Sequence, residues 1–254
     1  MFIWFGRRAI AAILLVWPAA AGFAADKKIQ TDANLVTALD VSDSIMRHEE
    51  WLEFEGLARA IVDPLVLDAI FSGRHGRIGF SVFAWSSGRV DVLVPWTVIA
   101  SSGDAERVAA MLRGMPKIPR PGWARFDPRR EPSRGGPGRR TDLSGSIDAA
   151  IDLASIAPHR AVRSIINVCA NGRDNVGVDP RAARDRAVAA GMVVNGLAIG
   201  AKDGLADYFR EHVQGGTGSF VLEVRVPAAL VDAMVEKLLR DLVAARGPWP
   251  RPII

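Results

Sequence analysis

The stretch that decides the fold is residues 34–44, NLVTALDVSDS. Its first half is a continuous apolar run of strand length, which is typical of a strand buried on both faces of a parallel sheet. The run ends in Asp40, Ser42 and Ser44, at alternate positions. These side chains offer only oxygen, the donor that Mg²⁺, Mn²⁺ and Ca²⁺ prefer. The stretch predicts a buried strand with a candidate cation site at its carboxyl end, although Ser and Asp also favour turns and helix N-caps.

The rest of the chain alternates helix and strand patterns. A helix predicted over residues 47–70 breaks near Asp63, because Pro64 cannot continue it. Its inward face is predicted to carry Trp51, Phe54, Leu57, Ala58 and Ile61. Further strands are predicted over 77–85, 89–94, 164–168, 192–199 and 219–224, and further helices over 104–115, 142–155, 180–191, 205–213 and 227–245. This order predicts an α/β fold: a doubly wound, mostly parallel sheet with one antiparallel edge strand and helices on both faces.

In such sheets, ligands bind beyond the carboxyl ends of the strands, where the strand order reverses. Three loops are therefore of interest: those after Ser42, before Asp142 and after Val168. The second loop carries Thr141 at the start of a helix, where a threonine also serves as an ordinary N-cap. The third carries Asn171 before a glycine, a pair that also favours a turn.

Together the three loops resemble the von Willebrand factor type A domain. That family has a strand ending in Asp-x-Ser-x-Ser, a threonine opening a helix about a hundred residues later, and a strand ending in Asp-Gly. Five segments narrow the resemblance to a group of exported bacterial proteins of unknown function with this fold: LDVSDSI (39–45), GRIGFSVFAWS (76–86), VPWTVI (94–99), VNGLAIG (194–200) and VQGGTGSFV (213–221).

The resemblance implies a metal-ion-dependent adhesion site at the top of the sheet. Asp40, Ser42 and Ser44 would form its first loop and Thr141 its second. Asn171 stands where the family has an aspartate, so it would act through a metal-bound water and the divalent ion would bind more weakly. Mg²⁺ is the expected ion, with Mn²⁺ and Ca²⁺ as alternatives. Three nearby carboxylates are candidates to replace the missing charge: Asp43, Asp142 and Asp174.

The ends of the chain differ in character from the middle. Residues 1–24 have two arginines followed by an apolar run of nine residues and a small-x-small pattern, which predicts a signal peptide cleaved before Ala25. That run is shorter than the roughly 20 residues of a membrane span. We therefore expect an exported protein, periplasmic or secreted, with one domain over 25–246 and a proline-rich tail over 247–254. The single cysteine, Cys169, excludes an internal disulfide framework.

Positive charge is concentrated in one segment, residues 117–140, which is rich in proline and glycine. It predicts either a solvated insertion or a surface for an acidic partner, lipid headgroups or polysaccharide. The candidate partner-binding residues are Arg125, Arg129, Arg130, Arg134, Arg139 and Arg140. The net charge of the whole chain, +4, gives no reason to expect nucleic acid as a partner.

Three hypotheses for function follow. The first is an exported, non-catalytic binding module that holds a partner protein through a divalent ion completed by the partner's carboxylate. The second is a metal-independent interaction protein that binds an acidic partner or an anionic surface through residues 117–140. The third is a serine hydrolase with Ser42 or Ser44 as nucleophile, for which no motif supplies a base.

Overall fold

The computed structural model describes residues 28–45, 47–114 and 140–245. Within these ranges the chain forms six strands: β1 (Gln30–Asp40), β2 (Ile78–Ser86), β3 (Arg89–Ile99), β4 (Arg160–Ala170), β5 (Met192–Ile199) and β6 (Val221–Val224). The same ranges hold seven α-helices: α1 (Arg47–Ala60), α2 (Pro64–Phe71), α3 (Ser102–Gly114), α4 (Leu143–Ser155), α5 (Pro180–Ala189), α6 (Leu205–His212) and α7 (Leu230–Ala245).

The strands form one sheet in the order β3-β2-β1-β4-β5-β6. Every neighbouring pair is parallel except β2 and β3, which form the antiparallel hairpin at one edge. The chain moves outward from β1 to β2 on one side and resumes at β4 on the other, so the strand order reverses between β1 and β4. The predicted fold class is confirmed, and the loops after β1 and β4 lie side by side at the reversal.

Helices cover both faces of the sheet. Leu35 and Leu39 of β1 pack in a core with α1, α2, α3 and α7. Val36 and Ala38 point the other way, into a second core with α4, α5 and α6. Because successive strand residues alternate between faces, the uninterrupted apolar run of β1 fills both cores at once. Burying each such leucine contributes about 1.5–3 kcal/mol.

Proline ends the first predicted helix where expected. Helix α1 ends at Ala60 and α2 begins at Pro64, with the Asp63 carboxylate accepting the Leu65 N–H at 2.9 Å as an N-cap. The inward face of α1 is confirmed at its carboxyl half and wrong at its start, because Trp51 is 57% exposed. Glutamates take the inward positions there.

A buried polar network, which we call the α7 network, attaches helix α7 to the sheet. Asn167 of β4 and Asn195 of β5 are register partners, and each donates an amide hydrogen to one oxygen of Asp241, at 2.6 and 2.7 Å. Lys237 donates to the Asn167 oxygen at 2.6 Å, and the Phe220 N–H donates to the Asn195 oxygen at 2.9 Å. The four polar side chains of the network are all buried and hydrogen-bonded: Asn167, Asn195, Lys237 and Asp241.

Some predictions fall outside the described residues. The signal peptide over 1–24, most of the basic segment and the tail over 247–254 stay predictions. Within the ranges that the structure describes, no helix is both long and apolar enough to span a bilayer.

Candidate metal site at the carboxyl edge of the sheet

The three predicted loops meet at the carboxyl edge of the sheet. Asp40 is the last residue of β1, and Asn171 directly follows β4. The Ser42 hydroxyl lies 3.0 Å from that of Ser44 and 3.2 Å from that of Thr141, and the Ser44 hydroxyl donates to the Asn171 amide oxygen at 2.7 Å. Residues up to 127 positions apart in the chain therefore place four oxygen atoms in one hydrogen-bonded row.

The spacing of this row suits a small divalent cation. Ligands about 2.1 Å from an octahedral Mg²⁺ lie about 3.0 Å from their neighbours. The three separations between adjacent oxygens, 2.7, 3.0 and 3.2 Å, bracket that value. Among the described residues no three His, Cys, Asp or Glu side chains are grouped closely enough to hold a metal by themselves. A cation here would therefore depend on hydroxyl and amide oxygens together with Asp40.

The Asp40 carboxylate is fully buried beside this row. Its Oδ1 accepts the Ser42 N–H at 2.8 Å, whereas Oδ2 has no hydrogen-bond partner in the described part of the chain. Burial raises the pKa of Asp40 to about 6, against the opposing effects of hydrogen bonds from Ser42, the positive charge of Lys202 and the backbone of Asn171. A buried carboxylate oxygen without a donor is costly, and a bound cation would remove that cost.

Thr141 is positioned by the loop that follows β4. Its N–H donates to the Asn175 side-chain oxygen at 2.9 Å, and the Asn175 N–H donates back to the Thr141 carbonyl at 3.0 Å. The N-cap of α4 is Asp142, whose carboxylate accepts the Gly145 N–H at 2.8 Å. The alternative interpretation of Thr141 as an N-cap is therefore wrong, and its hydroxyl is directed to Ser42 instead.

Asn171 has a local reason to be an amide. Its Nδ2 donates to the Ser44 carbonyl at 2.9 Å and to Glu49 Oε2 at 3.4 Å. A carbonyl can only accept, so it fixes which end of the amide faces it. An aspartate at this position would lose both donations and place its charge against Glu49. Asn171 links the first loop, the third loop and α1.

Of the three nearby aspartates that the sequence analysis named, two accept backbone hydrogen bonds and one is exposed. Asp142 caps α4, and Asp174 accepts the Leu143 N–H at 2.9 Å and two further backbone N–H groups of its own loop. Asp43 is exposed. That these carboxylates replace the charge of the missing aspartate stays a prediction.

Three glutamates of α1 were missed by the sequence analysis. Glu49, Glu50 and Glu53 are all buried, on the side of the helix that continues into Phe54 and Leu57. The glutamates are spaced so that they share a side of the helix with these core residues, and this spacing could have identified them. The apolar Trp51 in the same turn obscures it, because an apolar residue is the one expected to face the core.

Of the basic segment, the structure describes only the last residue, Arg140, which is bonded to the β2–β3 hairpin. The Ser87 N–H donates to the Arg140 carbonyl at 2.8 Å, and the Arg140 N–H donates to the Ser87 hydroxyl at 3.0 Å. This pair of bonds ties the residue before Thr141 to the tip of the β2–β3 hairpin. The remaining arginines lie outside the described residues: Arg125, Arg129, Arg130, Arg134 and Arg139.

Solved structures share this architecture. Two structures of proximal thread matrix protein 1 (PTMP1) from the mussel byssus are 14% identical to this chain, with TM-scores of 0.57 and 0.55, and cover 85% of it. A third, described as having a zinc-occupied MIDAS motif, is 17% identical, with a TM-score of 0.54 and the same coverage. The chain spans about half the length of these structures, 48–49%. At this identity the likeness establishes the fold.

A family model covers most of the sequence. It matches residues 30–122 and 128–246 and is described as a protein of unknown function, DUF1194. No curated protein is similar enough to count as a match. The chain therefore belongs to the DUF1194 family, a von Willebrand factor type A-like family.

Proposed function

We propose that the protein is a non-catalytic binding module that holds a partner protein through a divalent cation at the carboxyl edge of its sheet. Asp40, Ser42, Ser44 and Thr141 would hold the cation, directly or through water, and the Asn171 oxygen would complete the row. The cation would supply positive charge and an open coordination position for a carboxylate of the partner. The observation that carries the proposal is the buried Oδ2 of Asp40, which has no hydrogen-bond partner among the described residues and lies beside oxygens at octahedral spacing.

Mg²⁺ and Mn²⁺ suit this row better than Ca²⁺. Ca²⁺ forms bonds of about 2.4 Å, so oxygens placed octahedrally around it would lie about 3.4 Å from their neighbours. The three separations in the row are all shorter than this. The zinc-occupied MIDAS motif of PTMP1 supports a divalent ion at this place in the fold.

The contacts of the two serines favour binding over hydrolysis. The hydroxyls of Ser42 and Ser44 contact each other, Thr141 and the Asn171 amide. Hydroxyls and amides are poor general bases at neutral pH, so these groups give neither serine the means to become a nucleophile.

Calorimetric titration of the purified protein with MgCl₂ and MnCl₂ tests the cation site. We expect binding in the wild type and none in Asp40→Asn, a variant of the same shape without the charge. Glu236→Gln, an exposed carboxylate on α7, is the matched control and should bind as the wild type does. Equal heats for the wild type and Asp40→Asn would contradict the proposal.

The partner is tested by capture from a bacterial envelope extract with immobilised protein. We expect one or more proteins retained in Mg²⁺ and released by EDTA, and retained less by Asp40→Asn. Retention that resists EDTA but falls with added salt would favour the second hypothesis, in which residues 117–140 bind an acidic partner. Export, which we also propose, predicts a mature protein that begins at Ala25, as N-terminal sequencing would detect.

A further inference from the structure

Glu53 is the most deeply buried carboxylate of α1. Its residue is 1% exposed, and neither side-chain oxygen has a hydrogen-bond partner among the described residues. Removing a carboxylate from water costs several kcal/mol unless a positive charge or hydrogen-bond donors compensate it. Glu53 is not one of the residues that form the proposed cation site.

The position of Glu53 on α1 places it beneath the loops of the site. Residues four apart lie on the same side of a helix, so Glu53 is one turn below Glu49. The Glu49 carboxylate accepts an amide hydrogen from Asn171, so Glu49 lies next to the loops of the candidate site. We call this loop region at the carboxyl edge of the sheet the rim. The apolar side chain of Trp51 is exposed, whereas the charged side chain of Glu53, two residues later, is buried. Helix α1 therefore directs a carboxylate, and not the tryptophan, towards the interior.

The charges that act most strongly on Glu53 are all negative. Burial raises the pKa of Glu53 well above its ordinary value, and the charge of Asp40 raises it further, followed by Glu49 and Glu50. Asp40 and Glu53 are therefore close enough to repel one another. Together they present three buried carboxylate oxygens without donors in the described part of the chain: Asp40 Oδ2, Glu53 Oε1 and Glu53 Oε2.

We propose that Glu53 supplies, from α1, the second negative charge of the cation site, which Asn171 does not provide. The inference rests on the proposed cation site and extends it. Glu53 is a positioning residue that acts through its charge, below the oxygens of Ser42, Ser44 and Thr141. A hard divalent cation above two buried carboxylates compensates both of them, and this pairing accounts for an otherwise uncompensated group in the core.

The test compares two glutamates of the same helix. Glu53→Gln keeps the shape and removes the charge. Glu55→Gln makes the same change in a carboxylate that is paired with Arg59 and Arg113. In calorimetric titrations with MnCl₂ we expect the dissociation constant to rise roughly tenfold in Glu53→Gln, because charge count sets cation affinity, and to stay unchanged in Glu55→Gln.

Thermal melting separates this role from a purely structural one. In EDTA, Glu53→Gln should melt at a higher temperature than the wild type, because the cost of burying an ionisable carboxyl is gone. The rise in melting temperature caused by MnCl₂ should be smaller in this variant. In a Glu53→Gln background, Asn171→Asp should restore affinity by returning the charge at another position.

The outcomes distinguish the two proposals. A wild type that binds no Mn²⁺ would overturn the cation site and this inference together. A wild type that binds, with Glu53→Gln binding equally well, would overturn only the role of Glu53. A Glu53→Gln protein that fails to fold would also overturn it, because its removal is expected to stabilise the cation-free protein.

Discussion

Two buried polar clusters in this protein use their charges in opposite ways. In the α7 network, both oxygens of Asp241 accept amide hydrogens, and Lys237 donates to Asn167 while lying 4.9 Å from the centre of the Phe220 ring. At the rim and beneath it, Asp40 and Glu53 are both buried and together have three carboxylate oxygens without donors among the described residues. Both clusters contain ionisable groups, and only one supplies its own partners.

The difference separates a structural cluster from a candidate binding site. A buried charge whose hydrogen bonds all come from the chain is complete and fixes the elements that provide them, here α7, β4 and β5. A buried charge with unfilled acceptors is costly until something else arrives. Burial or an altered pKa alone would not distinguish the two, because burial raises the pKa of both Asp40 and Asp241.

The largest expected effect comes from breaking the complete cluster. Asp241→Ala leaves the Asn167 and Asn195 amides without their acceptor and the buried Lys237 ammonium without the negative charge beside it, so we expect the free energy of unfolding to fall by about 3–5 kcal/mol. Glu236→Ala, an exposed residue on the same helix, should change it by less than about 0.5 kcal/mol. Urea unfolding measures both. A similar small loss in the two variants would refute the assignment of the α7 network as a stabilising cluster.

A smaller effect is expected from pH at the incomplete cluster. The folded-state pKa of Asp40, about 6, lies above the ordinary value of 3.8, so the folded protein holds the proton more tightly and loses stability as pH rises through this range. In EDTA, between pH 4.5 and 7, we expect Asp40 to lower the free energy of unfolding by about 2 kcal/mol. The positive charge of Lys202 opposes this rise in the pKa of Asp40, and the charge of Asp40 in turn raises the pKa of Glu53.

The difference between the wild type and Asp40→Asn isolates this contribution, because asparagine does not titrate. Urea unfolding at a series of pH values should give a difference that changes across this window in EDTA and flattens with saturating Mg²⁺. A difference that is constant with pH in EDTA would mean that Asp40 is ionised in the folded protein throughout.

The smallest effect sharpens the comparison at Asn171. Asn171→Asp removes donations to Ser44 and Glu49, so in EDTA we expect a loss of about 1–2 kcal/mol in the free energy of unfolding. The added charge should at the same time tighten Mn²⁺ binding in calorimetry. Asn175→Asp is the control, because its side-chain oxygen still accepts from Thr141. Weaker stability without tighter binding would count against a cation at the rim.

The sequence was enough to predict the fold and the meeting of the loops. The apolar run of β1, the break at Pro64 and the alternation of elements follow from local pattern, and the convergence of Ser42, Ser44 and Thr141 follows from strand order. These features depend on local sequence pattern and on the order of the elements, and both can be obtained from the sequence.

The charge environment of the site could not be predicted in the same way. Which face of α1 turns inward depends on packing along the whole helix, and the sequence pattern alone does not give that. The pattern therefore predicts Trp51 on the inward face and does not identify Glu53. The α7 network joins residues 74 positions apart that carry no common motif. The assignment of Asp142 rather than Thr141 as the N-cap depends on backbone angles that neighbouring residues in sequence do not fix.

The paired bonds between Ser87 and Arg140 have a mechanical consequence. They anchor the backbone one residue before Thr141, so a displacement arising upstream is resisted by the β2–β3 hairpin before it reaches the hydroxyl. The backbone position from which the Thr141 hydroxyl reaches Ser42 is thus held by the β2–β3 hairpin, which is more than fifty residues away in the sequence.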